Sequence, residues 1–575
     1  MPPDEDLEKL VRVIALRNAI EHGGKAQLDA VMSKFVASRP DRRANLKDLI
    51  PEISSIIQQV NALALADQIS HVKGLEPDRE YNRKRTAEPG PHLPPLENAV
   101  SGKVVTRFPP EPNGFPHIGH AKAAIIDEEY ARMYDGKLIL RFDDTNPNNE
   151  KIEYYDAIME GLEWLGVRPD LIKNTSDDIE TLHSLGMKMV EVGAAYVCTC
   201  PQETIHDLRA KGLACACRDD PLGLDLMKKM FEGALEENEA IIRFKGDMTD
   251  LNTAMRDPTL FRIIEGKHPR LGSRIRVWPT YDFAAPIEDS LDGVTHAMRT
   301  KEYELRNELY FAILDILDMR KPNLTEFSRL EFEGIPVSKR KIKPLIENGS
   351  VSGWDDPRLP TLSAFRRRGF TPQGIRRFVL SLGITLAETK PPFEALESFN
   401  RKIIDPTSPR LFFADDPFEI QIDGDAEFRA ELKNHPTNTD LGHRTVLVSG
   451  SVFVSGNDAK GLSEGDLVRL IELYNISIIS IDIPVKKIHA ELAGQDIVRS
   501  MPKIQWVAKN DIVDFSVLTP KQLYNGDRYN TQSLIIAKGY SESYIQKLGI
   551  GAIVQFVRFG FCRIDKQGTA IFAHR

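Results

Sequence analysis

The stretch TRFPPEPNGFPHIGHAKAA, residues 106–124, decides the fold class of this chain. A short apolar strand at 104–108 runs into a loop rich in proline and glycine, and a helix is predicted from Gly119 to Tyr134. The start of such a helix offers unpaired N–H groups and the positive end of the helix dipole, which suit phosphate. His117 and His120 add two donors there, and the glycine lets a ligand approach the backbone. The pattern indicates a nucleotide site, although a bare H-x-x-H also fits two surface histidines at a strand–helix turn.

Strands and helices alternate after this loop. KLILRF, 137–142, is a second strand candidate, and Ile152 to Leu165 is a second helix. This alternation predicts a parallel sheet with crossover helices. From about 345 to 400 the pattern is helical, and from about 410 onward short, regularly spaced strands predict β-barrels.

The N-terminal part of the chain has a different character. Residues 4 to about 62 are predicted to be helical, and the charged, proline-rich segment 76–99 predicts a linker or an extended arm. The first ten residues are acidic and lack the basic start and apolar stretch of a secretory signal, so a cytoplasmic location is expected. No run of eighteen apolar residues occurs, so no membrane partner is expected. The net charge of −9 says little about RNA, because RNA binding needs only a local basic face.

A second informative stretch is GIPVSKRKIKPL, 334–345, in which four of the five residues from Lys339 to Lys343 are basic. Alone it would fit a solvated loop or a generic RNA patch. Together, the two stretches resemble the two signatures of glutamyl- and glutaminyl-tRNA synthetases. PHIGH resembles the HIGH motif of class I aminoacyl-tRNA synthetases, and VSKRK resembles the KMSKS loop, with Ser338 and Lys339 in place but the first two positions altered. Among these enzymes the chain is most similar to the archaeal glutamyl type.

The resemblance implies that ATP, with Mg²⁺, reacts with the substrate carboxylate and that pyrophosphate leaves. The charge that builds up on phosphate would be stabilised by His117, His120 and Lys339, the implied catalytic residues. No general base is required, because the substrate carboxylate is already a nucleophile. The implied ATP-binding residues are Glu111, Pro112, Asn113, His117, Gly119, His120, Ser338, Lys339 and Arg340.

The resemblance also implies an amino-acid site at the carboxyl ends of the strands. Asp143 and Tyr281 would hold the α-amino end, and Arg107 would face the substrate side chain. The alternative is that Asp143 and Arg141 form an ion pair at the sheet edge and that Tyr281 is a core residue.

Arg299 bears on substrate choice. Bacterial glutaminyl enzymes have a small neutral residue at the matching position of a similar stretch. Two guanidinium groups, from Arg107 and Arg299, suit the carboxylate side chain of L-glutamate, but a neutral amide would leave them under-compensated. The sequence therefore favours glutamate, unless Arg299 points at tRNA or phosphate instead.

The four cysteines Cys198, Cys200, Cys215 and Cys217 form C-x-C-x14-C-x-C. Two close pairs of thiols suit a tetrahedral structural Zn²⁺, and four reduced core cysteines are the alternative. Some relatives hold zinc in the insertion that binds the tRNA acceptor end, where these cysteines lie. Cys562 is predicted to be a buried strand residue.

Arginines cluster in FRRRGFTPQGIRRFV, 365–379, which predicts either a solvated helix face or a phosphate-contacting face. Arg366, Arg367 and Arg376 are the candidates for tRNA contact. IDPTSPRLFF, 404–413, resembles the anticodon-binding barrels of glutaminyl-tRNA synthetases, which archaeal glutamyl enzymes share. Its Arg410 is a further candidate.

The predicted fold is therefore multidomain α/β, with a Rossmann-like class I catalytic domain, an acceptor-binding insertion, a helical domain and C-terminal β-barrels. The predicted boundaries are 1–95 for a helical extension and linker, 96–195 and 271–345 for the catalytic halves, 196–270 for the insertion, 346–405 for the helical domain and 406–575 for the barrels.

The predicted activity is glutamate–tRNA ligation. Glutamyl-adenylate would form first, and the acyl group would then pass to the 3′ end of tRNA(Glu), with tRNA(Gln) as a second candidate acceptor. The alternatives are a glutaminyl-tRNA synthetase, a HIGH-type nucleotidyltransferase that charges no tRNA, and a non-charging tRNA-binding relative.

Overall fold

The structure, a computed structural model, describes residues 5–21, 24–39, 46–64, 67–68, 70–72, 93–220, 223–388, 390–423, 427–498, 500–526 and 528–575. The chain divides into two compact units, Met1–Gly90 and Pro91–Arg575. The predicted linker lies mostly outside the described residues. Its last part, 93–99, is described, and there Leu93 and Leu96 pack into the core of the second unit.

The first unit contains helices α1 Glu5–Glu21, α2 Leu28–Ser38 and α3 Leu46–Ala62, and the described residues 67–68 and 70–72 are also helical. The apolar spacing in α1 buries Val11 and Ile14, which pack with Phe35 of α2 and Ile53 of α3. A helical N-terminal region was predicted, and the structure divides it into these shorter helices.

The catalytic part begins with alternating strands and helices. Its elements are β1 Val105–Phe108, α4 Ile118–Met133, β2 Lys137–Phe142, α5 Ile152–Leu165, β3 Leu171–Asn174, α6 Ile179–Glu191, β4 Ala195–Cys198, α7 Gln202–Lys211, α8 Gly223–Phe231, β5 Ile241–Phe244, β6 Thr259–Ile263, β7 Val277–Pro279, α9 Tyr281–Leu291, β8 His296–Thr300, α10 Asn307–Leu317, β9 Asn323–Phe327 and α11 Lys339–Glu347.

The predicted parallel sheet is present. β1 pairs in parallel with β2, β2 with β3, and β8 with β9. Thr295, just before β8, joins the two pairs, because its N–H donates to the carbonyl of Val105 at 2.9 Å. Helix α4 covers β1 and β2 and buries Ile118, Ile125 and Tyr130. All these strands therefore end at one edge, where a ligand site is expected.

An antiparallel sheet, β4 to β7, lies between the two halves of the parallel sheet in sequence. It extends from Ala195 to Pro279, whereas the predicted insertion covers 196–270. Its core includes Ile242, Phe261 and Phe283. Thr280 and Tyr281 follow the last strand of this sheet directly and lead into α9, the helix before β8 of the parallel sheet.

The helical segment and the strand-rich segment follow in the order predicted. Their elements are α12 Leu362–Arg368, α13 Pro372–Leu382, α14 Phe393–Ile404, β10 Arg410–Leu411, β11 Phe413–Asp415, β12 Phe418–Asp423, β13 Phe428–Lys433, β14 His443–Val448, β15 Ser451–Val454, α15 Gly456–Ala459, β16 Leu467–Leu470, β17 Asn475–Asp482, β18 Lys487–Leu492, β19 Lys503–Ile504, β20 Val507–Ala508, β21 Ile512–Pro520, β22 Tyr524–Asn525, β23 Arg528–Tyr529, β24 Leu534–Glu542, β25 Ile553–Phe556, β26 Gly560–Lys566 and β27 Thr569–His574.

Two seven-stranded sheets form the barrels. In one, the strand order is β19-β16-β17-β18-β12-β15-β20, and in the other it is β10-β25-β26-β27-β21-β24-β11. The two edge strands of each sheet are neighbours in sequence. Only Phe412 separates β10 from β11, and only Gln505 and Trp506 separate β19 from β20. Each sheet must therefore curl until its edges meet, which is barrel geometry.

Cys562 lies in β26 and is buried, as predicted. Among the described residues, no helix combines the length and the apolar content needed to cross a membrane. The predicted domain boundaries stay predictions, because the units found in the structure are coarser.

Candidate active site

A cleft of about 1020 Å³ opens where the parallel strands end. It gathers most of the residues predicted to bind ATP and the amino acid. Those that line it are Arg107, Glu111, Asn113, His117, Gly119, His120, Asp143, Tyr281, Arg299, Ser338 and Lys339. Pro112 and Arg340 do not line it: Pro112 is buried within the loop between β1 and α4, and Arg340 is exposed on α11.

The two histidines cap helix α4. His117 is the N-cap residue, and its Nδ1 accepts the N–H of Gly119 at 3.1 Å. The N–H of His117 in turn donates to Nδ1 of His120 at 3.2 Å. Because both Nδ1 atoms accept, each neutral ring carries its proton on Nε2. Two N–H donors are therefore available in the cleft beside the helix N-terminus.

Burial keeps both rings neutral. It lowers the pKa of His120 to about 4, and burial and the neighbouring His120 lower the pKa of His117 well below its ordinary value. Gly119 has a local role, since a Cβ there would lie 2.9 Å from a ring carbon of His117. The glycine makes room for an imidazole rather than only for a ligand.

Lys339 bridges the two predicted signatures. Its Nζ donates to the carbonyl of Asn113 in the first loop, and it lies 5.2 Å from the ring centre of Tyr154. Burial lowers its pKa, with a smaller contribution from Lys343. Glu111 faces the same cleft, and burial raises its pKa. The cation thus lies across the loop predicted to hold phosphate.

Arg107 is fully buried and firmly paired. Its Nε and Nη2 donate to the two oxygens of Asp289 at 3.0 and 3.2 Å, and its Nη1 donates to the carbonyl of Met298 at 2.6 Å. Arg141 also contacts Asp289, with 2.8 Å between Nη1 and Oδ1. These two cations keep the pKa of Asp289 near 2 against the effect of burial. Much of the charge of Arg107 is therefore compensated within the protein.

Arg299 has a different environment. Its guanidinium carbon lies 5.9, 5.2 and 5.2 Å from the ring centres of Tyr281, Tyr303 and Tyr310. Only 4% of Arg299 is exposed, and its Nε and Nη1 have no hydrogen-bond partner. The remaining nitrogen, Nη2, donates to the carbonyl of Tyr303 at 3.4 Å. Among the described residues no carboxylate pairs with this cation, so it faces the cleft uncompensated by a counter-charge.

Asp143 takes part in both arrangements that the sequence left open. It lines the cleft, and its Oδ1 accepts from Nε of Arg141 and from the hydroxyl of Thr175, both at 3.1 Å. Tyr281 begins helix α9, lines the cleft and contacts Tyr303, with 4.7 Å between ring centres. The predicted ion pair between Arg141 and Asp143 is therefore present, and it leaves Oδ2 of Asp143 for a ligand.

A family model described as "tRNA synthetases class I (E and Q), catalytic domain" matches residues 103–406, more than half of the chain. The chain belongs to this family of class I tRNA synthetases. Two further models, both described as anticodon binding domains of the same synthetases, match residues 408–493 and 503–565. They cover most strands of the two barrels of this synthetase, so the predicted family and fold class are confirmed.

Archaeal relatives match the synthetase along its whole length. A glutamate–tRNA ligase of Cenarchaeum symbiosum (strain A) is 49% identical, with 99% of this chain and 100% of the relative covered. One of Nitrosopumilus maritimus (strain SCM1) is 46% identical, with both chains fully covered. One of Pyrococcus furiosus (strain ATCC 43587 / DSM 3638 / JCM 8422 / Vc1) is 39% identical, with 99% of this chain and 100% of the relative covered.

The four cysteines of the synthetase meet at the end of β4. The Sγ atoms of Cys198 and Cys215 are 3.7 Å apart, those of Cys200 and Cys217 are 3.6 Å apart, and all four lie within 4.8 Å of one another. Four thiolates at about 2.3 Å from a tetrahedral zinc ion would be about 3.8 Å from each other. The donor set and its spacing therefore fit a structural zinc ion.

The arginines predicted to contact tRNA each have a partner inside the synthetase. Arg366 pairs with Glu160 at 2.8 Å, and Arg367 binds both oxygens of Asp565 at 2.9 and 2.8 Å. Arg376 pairs with Glu128 and Glu129, and Arg410 pairs with Asp405 at 2.5 Å. Arg366 has the most exposed side chain, at 51%, whereas Arg410 is 14% exposed.

Several residues of the site carried no sequence signal. Asp289, Tyr303 and Tyr310 surround the two cleft arginines, but none belongs to a short motif. Tyr303 lies in a 3-10 turn, Lys301–Arg306, and Tyr310 lies in α10, so no single helical period in the sequence places them together. Nothing in the sequence pattern pairs Asp289 with Arg107, which is 182 residues away.

Proposed function

We propose that the protein is a glutamate–tRNA ligase, which activates L-glutamate with ATP and transfers it to tRNA. The observation that carries the proposal is Arg299, a buried cation in the cleft whose Nε and Nη1 have no hydrogen-bond partner. The archaeal relatives, which carry the name glutamate–tRNA ligase, support it.

Charge balance supports glutamate over glutamine. Arg107 shares Asp289 with Arg141, so its charge is largely compensated before a substrate arrives. Arg299 has tyrosine rings around it but no carboxylate partner among the described residues. The side-chain carboxylate of glutamate supplies the missing negative charge and two acceptor oxygens, which match a guanidinium. The neutral amide of glutamine would leave a buried cation unpaired.

The α-amino end of the substrate would lie on the opposite side, at Asp143 and Tyr281. Asp143 uses one oxygen for Arg141 and Thr175, and its other oxygen remains to accept an ammonium N–H. The two arginines and this carboxylate together fix the orientation of the amino acid. Its α-carboxylate is thereby directed at the nucleotide.

In the first step an oxygen of the glutamate α-carboxylate forms a bond to the α-phosphorus of ATP, which enters as its magnesium complex. The bond from that phosphorus to the bridging oxygen breaks, and pyrophosphate leaves with its electron pair. Nε2–H of His117 and of His120, the N-terminus of α4, and Lys339 are the groups proposed to stabilise the added negative charge. Removing one such donor typically costs about 10²- to 10³-fold in rate. Glu111, Asn113, Gly119 and Ser338 complete the cleft around ATP, whereas Pro112 and Arg340 act from outside it.

In the second step the terminal 2′-hydroxyl oxygen of tRNA forms a bond to the acyl carbon of glutamyl-adenylate, and the hydroxyl proton passes to a phosphate oxygen of the adenylate. The bond from the acyl carbon to the phosphate oxygen breaks, and AMP leaves. The tRNA would also contact the two anticodon-binding domains that the family models match. Among the arginines predicted for tRNA, Arg366 is the best candidate, because it is the most exposed and its pair with Glu160 is at the surface. We propose smaller contributions from Arg367, Arg376 and Arg410, which would have to exchange an internal partner for phosphate.

A structural zinc ion would be held by Cys198, Cys200, Cys215 and Cys217. Bound there, the ion would tie the end of β4 to the segment 215–217, on either side of α7. Helix α7 carries Arg209, which lines the cleft and donates to the carbonyl of Thr253 at 2.9 Å. The cysteine cluster thus supports the part of the insertion that faces the cleft.

The experiment is a charging assay with ATP, total archaeal tRNA and labelled glutamate or glutamine. We expect label from glutamate in the tRNA and little from glutamine. Charging by glutamine alone would make the protein a glutaminyl-tRNA synthetase. Absence of both charging and amino-acid-dependent ATP–pyrophosphate exchange would make it a non-charging relative. Separating the glutamylated tRNAs by hybridisation then tells whether tRNA(Gln) is an acceptor besides tRNA(Glu).

A further inference from the structure

A buried imidazole braces the two segments that we propose to hold the substrate. His268 lies in the hairpin between β6 and β7, where its N–H and carbonyl pair with those of Gly272 at 2.9 Å. It is fully buried, and it lies outside both predicted signatures. Neither step of the proposed reaction uses it directly.

The imidazole is held on two sides. Its Nδ1 accepts the backbone N–H groups of Arg270 at 3.2 Å and Leu271 at 3.1 Å. A neutral ring in this setting carries its proton on Nε2. The ring also stacks on Trp278, with 4.9 Å between ring centres and 26° between planes. Trp278 belongs to β7, the strand that leads directly to Thr280 and Tyr281 in the cleft.

The other nitrogen reaches the turn 143–150. Nε2 of His268 donates to the carbonyl of Asp144 at 3.2 Å, and it lies 3.2 Å from Oε2 of Glu150. Glu150 accepts the backbone N–H of Asn146 at 2.6 Å through its other oxygen. The imidazole therefore touches both ends of a turn that brings Asp143, Thr145 and Asn146 to the cleft.

Further contacts hold the turn 143–150 in place. The carboxylate of Asp144 is fully buried and accepts from the N–H and the hydroxyl of Ser176, at 2.8 and 2.7 Å, and from the hydroxyl of Tyr155 at 2.9 Å. A Cβ added at Gly266 of the hairpin would lie 2.4 Å from Oδ1 of Asn148, so the hairpin and the turn are in close contact. The hairpin and the turn form one packed unit with His268 at its centre.

We propose that His268 is a positioning residue for the amino-acid site: through Asp144 and Glu150 it fixes Asp143, and through Trp278 it fixes Tyr281. The inference rests on the proposed function, because it assigns those two residues to the α-amino end of glutamate. His268 itself does not touch the substrate. Loosening it should therefore weaken glutamate binding more than ATP binding or the chemical step.

Two substitutions separate the nitrogens of the ring. In His268→Gln the side-chain amide reaches the place of Nε2 and can still donate to the carbonyl of Asp144. In His268→Asn the shorter side chain replaces only Nδ1, so the contacts to the turn are lost. We measure ATP–pyrophosphate exchange in the presence of tRNA, with glutamate and ATP varied separately, together with the midpoint of urea unfolding.

We expect His268→Asn to raise the KM for glutamate at least 10-fold, with kcat and the KM for ATP within about threefold, a split that loss of stability alone does not produce. His268→Gln should recover most of the glutamate KM. Equal losses in both variants confined to kcat and the unfolding midpoint would overturn the proposal, as would an unchanged glutamate KM in His268→Asn. Wild-type protein without any glutamate-dependent exchange would instead refute the proposed function.

Glu150, which contacts Nε2 of His268, gives an independent test if a variant at position 268 does not fold. Glu150→Gln keeps an oxygen to accept the N–H of Asn146, whereas Glu150→Ala removes it. We expect the alanine variant to raise the KM for glutamate severalfold and the glutamine variant to change it less. A glutamate KM unchanged in Glu150→Ala would contradict the role of the turn.

Discussion

Arg107 and Asp289 form a buried two-point ion pair, with Nε and Nη2 of the arginine 3.0 and 3.2 Å from the two carboxylate oxygens. Asp289 also contacts Nη1 of Arg141 and accepts the hydroxyl of Tyr310 at 2.8 Å. Asp289 is thus the ion-pair partner of Arg107 and one of three carboxylates that contact Arg141, beside Asp143 and Asp292. Arg299, by contrast, has no carboxylate partner among the described residues.

Asp289→Asn should therefore be costly. It removes the carboxylate that pairs with the buried Arg107, whereas Arg141 keeps Asp143 and Asp292. Leaving one buried cation unpaired typically destabilises a protein by about 3–5 kcal/mol. Urea unfolding at neutral pH measures the loss. Tyr310→Phe is the matched control, because it removes one hydrogen bond to the same carboxylate and should cost only about 1 kcal/mol. Equal effects of the two variants would contradict the shared role of Asp289.

Arg299→Met should abolish most of the preference for glutamate. The lost charge-assisted hydrogen bonds contribute about 2–3 kcal/mol, so kcat/KM for glutamate in tRNA-dependent exchange should fall roughly 30- to 150-fold. Activity with glutamine should change much less, since glutamine gains little from this cation. Lys188→Met, an exposed basic residue on α6, is the control and should leave kcat/KM unchanged. A parallel fall for both amino acids would assign Arg299 to nucleotide or tRNA instead.

Stability should depend on pH through His120. Burial lowers its pKa from 6.5 to about 4, while the unfolded chain keeps the ordinary value. Between these values the unfolded state binds a proton that the folded state does not, so the free energy of unfolding falls as the pH is lowered from 6.5 towards 4. His120→Gln lacks this proton, and the difference between the two proteins in the free energy of unfolding should change by about 3 kcal/mol across the window. Identical pH dependence of unfolding in both would show that the imidazole keeps an ordinary pKa.

The cysteine cluster predicts about one zinc ion per chain, measured by elemental analysis of purified protein. Cys217→Ser should lower the zinc content and reduce tRNA charging by changing the support of the insertion. Cys562→Ser is the matched control, because that thiol is buried in a barrel strand far from the cluster in sequence. Full-strength charging by metal-free protein would assign the four thiols to simple core packing.

The pair Arg367–Asp565 separates structure from tRNA contact. The two side chains join α12 to β26 through hydrogen bonds of 2.9 and 2.8 Å. Arg367→Asp should lower the free energy of unfolding by about 1 kcal/mol, because the pair is partly exposed, and the double variant Arg367→Asp with Asp565→Arg should recover it. If the KM for tRNA recovers as well, the residue acts through the fold. A tRNA KM that stays high in the double variant would indicate direct phosphate contact.

Local patterns predicted the parts of the fold that local physics controls. The helix Ile152–Leu165 and the strand Lys137–Phe142 have the predicted bounds, because apolar spacing sets them. PHIGH and VSKRK identified residues that line the cleft, because residues close together in sequence are also close together in space. Pairings across long distances in sequence had no such signal. His268 lies 124 residues from Asp144, so only the tertiary fold brings them together.

The carbonyl of Asn113 competes with the nucleotide for the ammonium group of Lys339. With its ammonium donating to the carbonyl of Asn113, a ligand must displace that contact before it gains the cation. A triphosphate replaces the lost hydrogen bond with charge-assisted hydrogen bonds to the lysine, whereas adenosine has no charged group that could do so. Breaking this contact therefore lowers the binding affinity of every nucleotide by the same factor, and only nucleotides with a large negative charge regain that affinity from the lysine. The lysine that we propose to stabilise the charge on phosphate would therefore also select among the nucleotides that bind in the cleft.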